Sequence, residues 1–406
     1  MPALGSRLEL LEQALALPGG ELVARLAAAD VHLVGGVVRD LLTGRRPREL
    51  DLVVERPLSE LLQRLPGAKV IHGDFETATV LTPEGARVDL ARSRRERYPR
   101  GGALPQVEPA GLEEDLWRRD FTVNALALTT GGPQRGMLHG LPSSLADLEL
   151  RRLEVTHSRS FQDDPTRLLR LARYQARLGF QPGPTTLALA RAAVALNRLA
   201  TVSCTRIANE LRRNLTDGNP LAQLEALKRL GIPRALRLAQ PSGRTVAAGL
   251  AVLGERGDQT VLLALALVAG SPKAQGGLSF LHRAGLSRGE IAALRASLDR
   301  LEEARHLLSG RTELAPLHRR LRQMPAEGVA WAAAAAGGPA LLHGAHYLRR
   351  RRARVAVGGR DLIAAGLPPG PAIGRALAAL EELVVAGAVG EGAAEQLRKA
   401  LELAKD

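Results

Sequence analysis

Residues 33–54 read LVGGVVRDLLTGRRPRELDLVV, and the order of residue types in this stretch decides the fold of the amino-terminal part. Val31–Val34 predicts a short apolar strand, Gly35-Gly36 a turn, Val37–Leu42 one or two turns of helix, and Leu50–Val54 a second strand. Glu49 and Asp51 flank a single residue. Positions i and i+2 of a strand share a face, so the two carboxylates are expected side by side. Leu50, Leu52, Val53 and Val54 make the strand largely buried, and acids in such a place need a partner; a solvated edge strand is the alternative. A divalent cation satisfies both acids, and Mg2+ binds through one or two carboxylates plus substrate phosphates. Gly35 and Gly36 let backbone amides approach an anion, and Arg39 follows one turn later to grip phosphate oxygens. The chain lacks the GxxxxGKS or GxxxxGKT of a P-loop, and Gly35-Gly36 is not the GxGxxG of a dinucleotide fold.

Composition narrows the partner. A chain of 406 residues suffices for two or three domains with buried cores. Its 56 Lys and Arg against 42 Asp and Glu give a net charge of +14. An excess of this size favours a polyanion such as nucleic acid, unless it reflects a general arginine and alanine bias. One cysteine, Cys204, excludes an internal disulfide and suits a reducing cytoplasm. The longest apolar runs, such as Val261–Ala269, are too short to span a bilayer, and Glu9 and Glu12 interrupt any signal-peptide core. A soluble, cytoplasmic protein is expected. The absence of HExxH, of a His-Asp dipeptide and of a cysteine cluster argues against a zinc site or a metal phosphohydrolase module. His72 is expected at a loop or strand end.

The texture changes once, near residue 150. Before it, β-like runs (Val31–Val34, Leu50–Val54, Thr77–Leu81, Arg87–Leu90, Val123–Leu128) alternate with helical segments, the pattern of a mixed α/β domain. After it, Asp164–Leu178, Thr185–Leu199, Cys204–Leu215 and Leu221–Leu230 all carry helical period. Further divisions are expected near Gly243 and near Gly276-Gly277. The Ala332–Ala336 run predicts a closely packed small-residue helix. The Arg349–Arg352 run is either a solvated basic face or a contact to RNA phosphates.

A third acid, Asp89, lies in the apolar strand Arg87–Leu90. A glycine pair, then acid-x-acid, then a single acid on a later strand resembles the nucleotidyltransferase superfamily that includes DNA polymerase β. The closer resemblance is to the bacterial class of tRNA nucleotidyltransferases and poly(A) polymerases. It is carried by HGDFETATV (72–80), EEDLWRRDFTVNALAL (113–128), SFQDDPTRLLRLARYQARLGF (160–180), VSCTRIANELRRNL (202–215) and VGGRDLIAAGLPPGPAIGRAL (357–377). The resemblance implies an α+β protein: a mixed α/β nucleotidyltransferase head (1–150), a helical neck with a base-selecting motif (151–220), and a helical body and tail that bind tRNA (221–406).

It also implies roles. The paired metal acids fall on Glu49 and Asp51, with Asp89 as the third catalytic acid and Mg2+ as cofactor. The phosphate grip falls on Gly35, Gly36 and Arg39, and the ribose-sensing Arg-Arg-Asp on Arg118, Arg119 and Asp120. The base-reading motif falls on Asp163, Asp164 and Arg167, with Arg170 also at the nucleotide. Family members mostly carry Asp where Glu49 stands and Glu where Asp163 stands. The implied reaction is template-independent transfer of CMP or AMP, from CTP or ATP, to the 3′ acceptor end of tRNA. The alternatives are a poly(A) polymerase of the same fold and an RNA-binding protein with decayed catalysis, for which Glu49 is the sole support.

Asp164 before Pro165 also looks like an ordinary helix start. As base readers, Asp164 and Arg167 share a helix face, where a carboxylate accepts the exocyclic amine of cytosine or adenine and a guanidinium donates to ring acceptors. Capping by Asp163 instead would leave Asp164 free. The interval 90–117, with Arg94, Arg95, Arg97 and Arg100, looks close to full length for the family's flexible loop, which CC-adding members tend to shorten. Terminal AMP addition is the expectation from it, and a solvated surface loop is the bland alternative.

Overall fold

The computed structural model describes residues 3–63, 69–72, 76–255, 257–269, 287–310 and 312–405. Its strands are β1 (Ala3–Ser6), β2 (Val31–Val34), β3 (Leu50–Val54), β4 (Lys69–His72), β5 (Thr77–Leu81), β6 (Arg87–Arg92), β7 (Arg94–Arg97), β8 (Gln106–Pro109), β9 (Leu126–Thr129), β10 (Met137–Gly140), β11 (Arg152–Leu153) and β12 (Gln181–Pro182). Eight of them form one mixed sheet in the order β1-β10-β9-β2-β3-β6-β5-β4. Central β2 and β9 are buried throughout, which explains their continuous apolar runs. Val34, Val53, Ala125 and Ala127 pack with Leu112, Leu116 and Leu141 into one core cluster. β7 and β8 form a separate two-stranded hairpin, and β11 pairs with β12.

Two compact units emerge: 1–210 with 229–235, and 211–228 with 236–406. The sheet and the helices Ser160–Asp163, Arg167–Leu178 and Pro184–Ala195 belong to the first unit, so the change of texture near residue 150 falls within it. The second unit is helical. In it the helix Ala326–Ala336 is almost wholly buried, and a Cβ on Gly344 would lie 2.7 Å from the Ala333 Cβ. Small residues there let two backbones approach, as the alanine run predicts. No strong break occurs at Gly243, which starts the helix Gly243–Leu253 within the second unit; Gly276-Gly277 lies outside the described residues. No described helix is long and apolar enough to cross a membrane.

Two local expectations are corrected. Val123–Leu128 is not one strand: Thr122–Asn124 forms a 3-10 turn before β9 begins at Leu126. Asp164–Leu178 is not one helix. Ser160–Asp163 and Arg167–Leu178 are separated at Asp164, whose φ of −129° and ψ of 92° are extended. The residue before a proline is driven out of the helical region by the proline ring, and Pro165 has this effect here.

Candidate active site

Two cavities in the first unit meet at Arg118. One is lined by Val34, Asp51, Thr77, Thr79, Arg87, Asp89, Arg118 and Arg119; the other by Arg95, Glu96, Tyr98, Glu114, Trp117, Arg118, His157, Asp163 and Arg167.

Parallel pairing of β3 with β6 sets Asp51 opposite Asp89 in register. Glu49 stands two residues earlier, on the exposed bend that enters β3. Carboxylate oxygens of Glu49, Asp51 and Asp89 lie within 4.8 Å of one another. Burial, and then the charges of Glu49 and Asp89, push the Asp51 carboxyl up to about 6. Three hard oxygen donors that repel one another, with Asp51 and Asp89 partly withdrawn from water, fit a divalent cation. Asp89 is oriented by Thr79 Oγ1, which donates at 2.5 Å, and by Arg87, whose Nε donates to its two oxygens at 3.0 and 2.9 Å.

Gly35 ends β2 with a φ of +70°, and a Cβ there would stand 2.8 Å from Nη1 of Arg119. Glycine is therefore required twice over, for backbone angle and for room. Its amide does not face an anion as the sequence suggested, because it donates to Leu126 O at 2.9 Å. Gly36 occupies the first position of the helix Gly36–Leu42, where no intrahelical carbonyl can take its amide.

Arg39, expected as the phosphate grip, is held inside the fold. It is 2% exposed, donates from Nε and Nη2 to Asp40 Oδ1 at 2.8 and 2.6 Å and from Nη1 to Asn124 Oδ1, and lies 5.6 Å from the Tyr174 ring centroid. It lines neither cavity. Arg119 lines the acid cavity instead: Nη2 donates to Asp115 Oδ2 at 2.8 Å, while its buried Nε has no hydrogen-bond partner.

Arg118 donates to Asp115 Oδ1 at 3.0 and 2.6 Å and to Glu96 Oε1 at 3.0 Å. Burial raises the Asp115 carboxyl, but the Arg119 and Arg118 guanidinium groups outweigh it and hold the group below its ordinary value. Asp120 lines neither of these two cavities. Its Oδ1 accepts from Phe121 N and Asn124 Nδ2, and its Oδ2 from Arg170 Nε at 2.7 Å. Burial opposes ionisation, yet Arg170 and the Asn124 hydrogen bond hold Asp120 down at about 2. Arg170 also donates to the Tyr174 hydroxyl at 3.0 Å. Asp120 and Arg170 are thus partnered with one another, and neither lines the two cavities described.

At the base-reading motif, Asp163 lines the second cavity, with Arg159 3.3 Å from its Oδ1. Asp164 is not the free partner expected if Asp163 capped the helix. Its Oδ1 accepts from Thr166 N at 3.1 Å, Thr166 Oγ1 at 2.7 Å and Arg206 Nη2 at 2.9 Å. Buried Arg167 donates to Ser160 Oγ at 2.7 Å and to Arg118 O at 2.6 Å, joining the motif to the Arg-Arg-Asp stretch. Burial, and then Arg167, hold the neighbouring His157 below its ordinary value.

The interval 90–117 is docked on the unit at several points, while Arg95, Arg97 and Arg100 stay exposed. β7 and β8 pair from Arg94–Pro109 to Arg97–Gln106. At the tip, Gly102 N donates to Asp163 O at 3.0 Å, and Arg206 Nη1 donates to Gly102 O at 2.9 Å. A Cβ on Gly102 would fall 2.2 Å from Thr201 Oγ1. Arg206, Asp115, Glu96 and Arg87 escaped the sequence reading. Arg206 and Glu96 meet partners 42 and 22 residues away, Asp164 and Arg118, which no spacing rule spans; Asp115 meets Arg118 and Arg119 at the helical i+3 and i+4, and Arg87 meets Asp89 two residues along a strand, spacings that could have found them.

Residues 31–154 match the family described as Poly A polymerase head domain. A CC-adding tRNA nucleotidyltransferase of Deinococcus radiodurans is 35% identical over 378 residues, which cover 90% of this chain and 88% of that protein. An A-adding tRNA nucleotidyltransferase of Halalkalibacterium halodurans is 32% identical over 362 residues, 87% of this chain and 83% of that one. In fold, a Thermotoga maritima CCA-adding enzyme solved in complex with tRNA is similar with a TM-score of 0.77 at 24% identity, covering 99% of both chains.

Proposed function

We infer the reaction from a premise that the comparisons establish, namely that this chain belongs to the bacterial family of tRNA nucleotidyltransferases. It is an enzyme that adds CMP, AMP or both to the 3′ end of tRNA without a nucleic-acid template, using CTP and ATP. The observation that carries its chemistry is the triad of Glu49, Asp51 and Asp89 beside an arginine pair. Family members use a divalent metal, and we propose Mg2+ held by the triad, which when bound would lower the pKa of the attacking 3′-hydroxyl and neutralise the leaving oxygen.

The chain's own residues do the positioning. Arg119, with an unpaired Nε, takes the triphosphate in the role the sequence gave to Arg39. Arg118 spans both cavities and sets the distance between reacting phosphate and base. Transfer joins the 3′-oxygen to the α-phosphorus and releases pyrophosphate. Arg167, Asp163 and the second oxygen of Asp164 present the donor and acceptors that suit cytosine and adenine, whose amines a carboxylate accepts; guanine and uracil offer a carbonyl there, which it repels. The helical second unit would hold the tRNA in the cytoplasm. In its Arg349–Arg352 run, Arg350 and Arg351 donate to the carbonyls of Val384, Val385, Met324 and Arg322, which leaves exposed Arg349 and Arg352 as the phosphate contacts.

For the nucleotide added, we propose the terminal AMP. The support is the full-length interval 90–117, whose docked hairpin reaches the base-reading turn. CMP addition is the second reading, favoured by the identity to the CC-adding relative. Purified protein is given tRNA transcripts lacking CCA, ending in C and ending in CC, with CTP, ATP or both. Extension of the CC-ending transcript by ATP is expected; robust CMP addition without it would make this a CC-adding enzyme. Long adenosine tails on unrelated RNA would instead indicate a poly(A) polymerase.

A further inference from the structure

Trp117 is an anomaly of burial. The chain has two tryptophans; Trp331 is 5% exposed in the second unit, whereas Trp117 is 44% exposed at the end of the helix Leu112–Trp117. Burying an indole ring yields more than burying almost any other side chain, and a ring left partly open keeps that gain for a ligand that a neighbouring cavity can hold. Such a cavity is present, because Trp117 lines the one that also holds Tyr98, Arg118, His157, Asp163 and Arg167.

The polar groups of this cavity sort by what is already engaged. The Glu96 carboxylate is taken by the Tyr98 hydroxyl at 2.8 Å and by Arg118 at 3.0 Å, so it presents little free charge to a ligand. Among the described residues, Asp163 Oδ1 accepts from Arg159 Nη2 at 3.3 Å and the carboxylate keeps acceptor capacity. A planar ligand with polar edges and apolar faces fits such walls: its edge meets Asp163 and Arg167, and its face needs an aromatic surface. Nucleobases have this character, and aromatic side chains stack on them with little regard to sequence.

We propose that Trp117 is the stacking platform for the base of the incoming nucleoside triphosphate. The proposal rests on the reading of the site given above. It commits to the incoming base, not the primer's last base, because the same cavity carries Asp163 and Arg167 and shares the wall residue Arg118 with the cavity that holds Asp51 and Asp89.

The test uses Trp331→Phe, which leaves Trp117 as the sole tryptophan of the full-length protein. Its emission is followed during titration with CTP, ATP and inorganic triphosphate, each with Mg2+ and without tRNA. CTP or ATP should quench it, and triphosphate should not. In the otherwise natural chain, Trp117→Ala should raise the KM for the nucleotide by about 5- to 100-fold with a much smaller change in kcat, and Trp117→Phe should restore most of the loss. Quenching that appears only when tRNA ending in C is added would assign the ring to the primer and overturn the proposal. Unchanged emission and unchanged KM in an enzyme that still incorporates nucleotide would overturn it while leaving the reaction standing. Quenching by CTP or ATP in a protein that incorporates nothing would support the platform and overturn the reaction.

Discussion

Asp51 and Asp120 lie in one compact unit, both withdrawn from solvent, and they titrate in opposite directions. Asp51 is driven up to about 6 because burial and two neighbouring acids oppose its charge. Asp120 is more deeply buried, but Arg170 and Asn124 bring it down to about 2. A buried carboxylate whose charge the fold has already balanced is part of the scaffold. One whose charge the fold has left unbalanced, among other acids, waits for a cation from outside. The arginines divide in the same way: Arg39 is saturated by Asp40 and Asn124, and Arg119 keeps an unpaired Nε.

The comparison breaks first, and most visibly, at Asp51. Asp51→Asn should reduce nucleotide incorporation to background, a loss of at least about 1000-fold, without lowering the melting temperature at neutral pH without metal. Substantial incorporation with Mg2+ would mean that the unbalanced acid is not the centre of the reaction. Asp120→Asn should do the reverse and unfold the protein more easily, since removing one charge of a buried pair costs about 3–5 kcal/mol.

The arginines come next. Arg119→Ala should lower kcat by roughly 100- to 1000-fold with the denaturation midpoint little changed. Arg39→Ala should lose about 3–5 kcal/mol of stability, because Asn124 Oδ1 and Asp40 Oδ1 lose the buried guanidinium, leaving Arg177, 3.6 Å from Asp40 Oδ2, beside Asp40. If urea melts show the opposite ranking, the phosphate grip belongs to Arg39 after all.

Smaller in size is the dependence on pH. The Asp51 value in the native state lies above its ordinary 3.8, so the native state binds the proton more tightly than the unfolded chain. Its contribution to stability in metal-free protein therefore falls as pH rises from 3.8 to about 6. Asp120 is depressed, so its contribution is present above 3.8 and lost as pH falls toward about 2. Thermal melts of the wild type and of Asp51→Asn, compared across pH 4 to 7 (about the span between the two values) with and without Mg2+, isolate the first contribution. Mg2+ should raise the melting temperature of the wild type and not of the variant.

The smallest effect on stability is expected at Asp164. Asp164→Asn keeps an oxygen acceptor for Thr166 and should cost no more than the roughly 0.5–2 kcal/mol of a lost cap. If Asp164 also reads the base, rates with the four nucleotides will show weakened preference for ATP or CTP over UTP and GTP. Unchanged selectivity would place Asp164 with Asp120, among the scaffold acids.

Much of this arrangement was legible from local pattern. The strands around Gly35-Gly36 and Asp51, the third acid on β6 and the helical remainder follow from apolar period, glycine placement and acid spacing. Those signals lie within a few residues of one another and report which face a side chain occupies. The break at Asp164 was also written locally, in Pro165, although the helical period hid it. That Arg39 is held by Asn124 was not legible, because the two are 85 residues apart and no spacing rule spans that separation.

The sequence by itself determined the elements, the acids and the family resemblance, because residue type and short-range geometry suffice for these. Tertiary structure alone decided which charges are neutralised. Pairing β3 with β6 crowds three carboxylates together, while packing the helix Arg167–Leu178 near Asp120 supplies the guanidinium that Asp51 lacks. A charged side chain becomes scaffold or site according to the counter-charge within hydrogen-bond reach, and only the folded chain sets that distance.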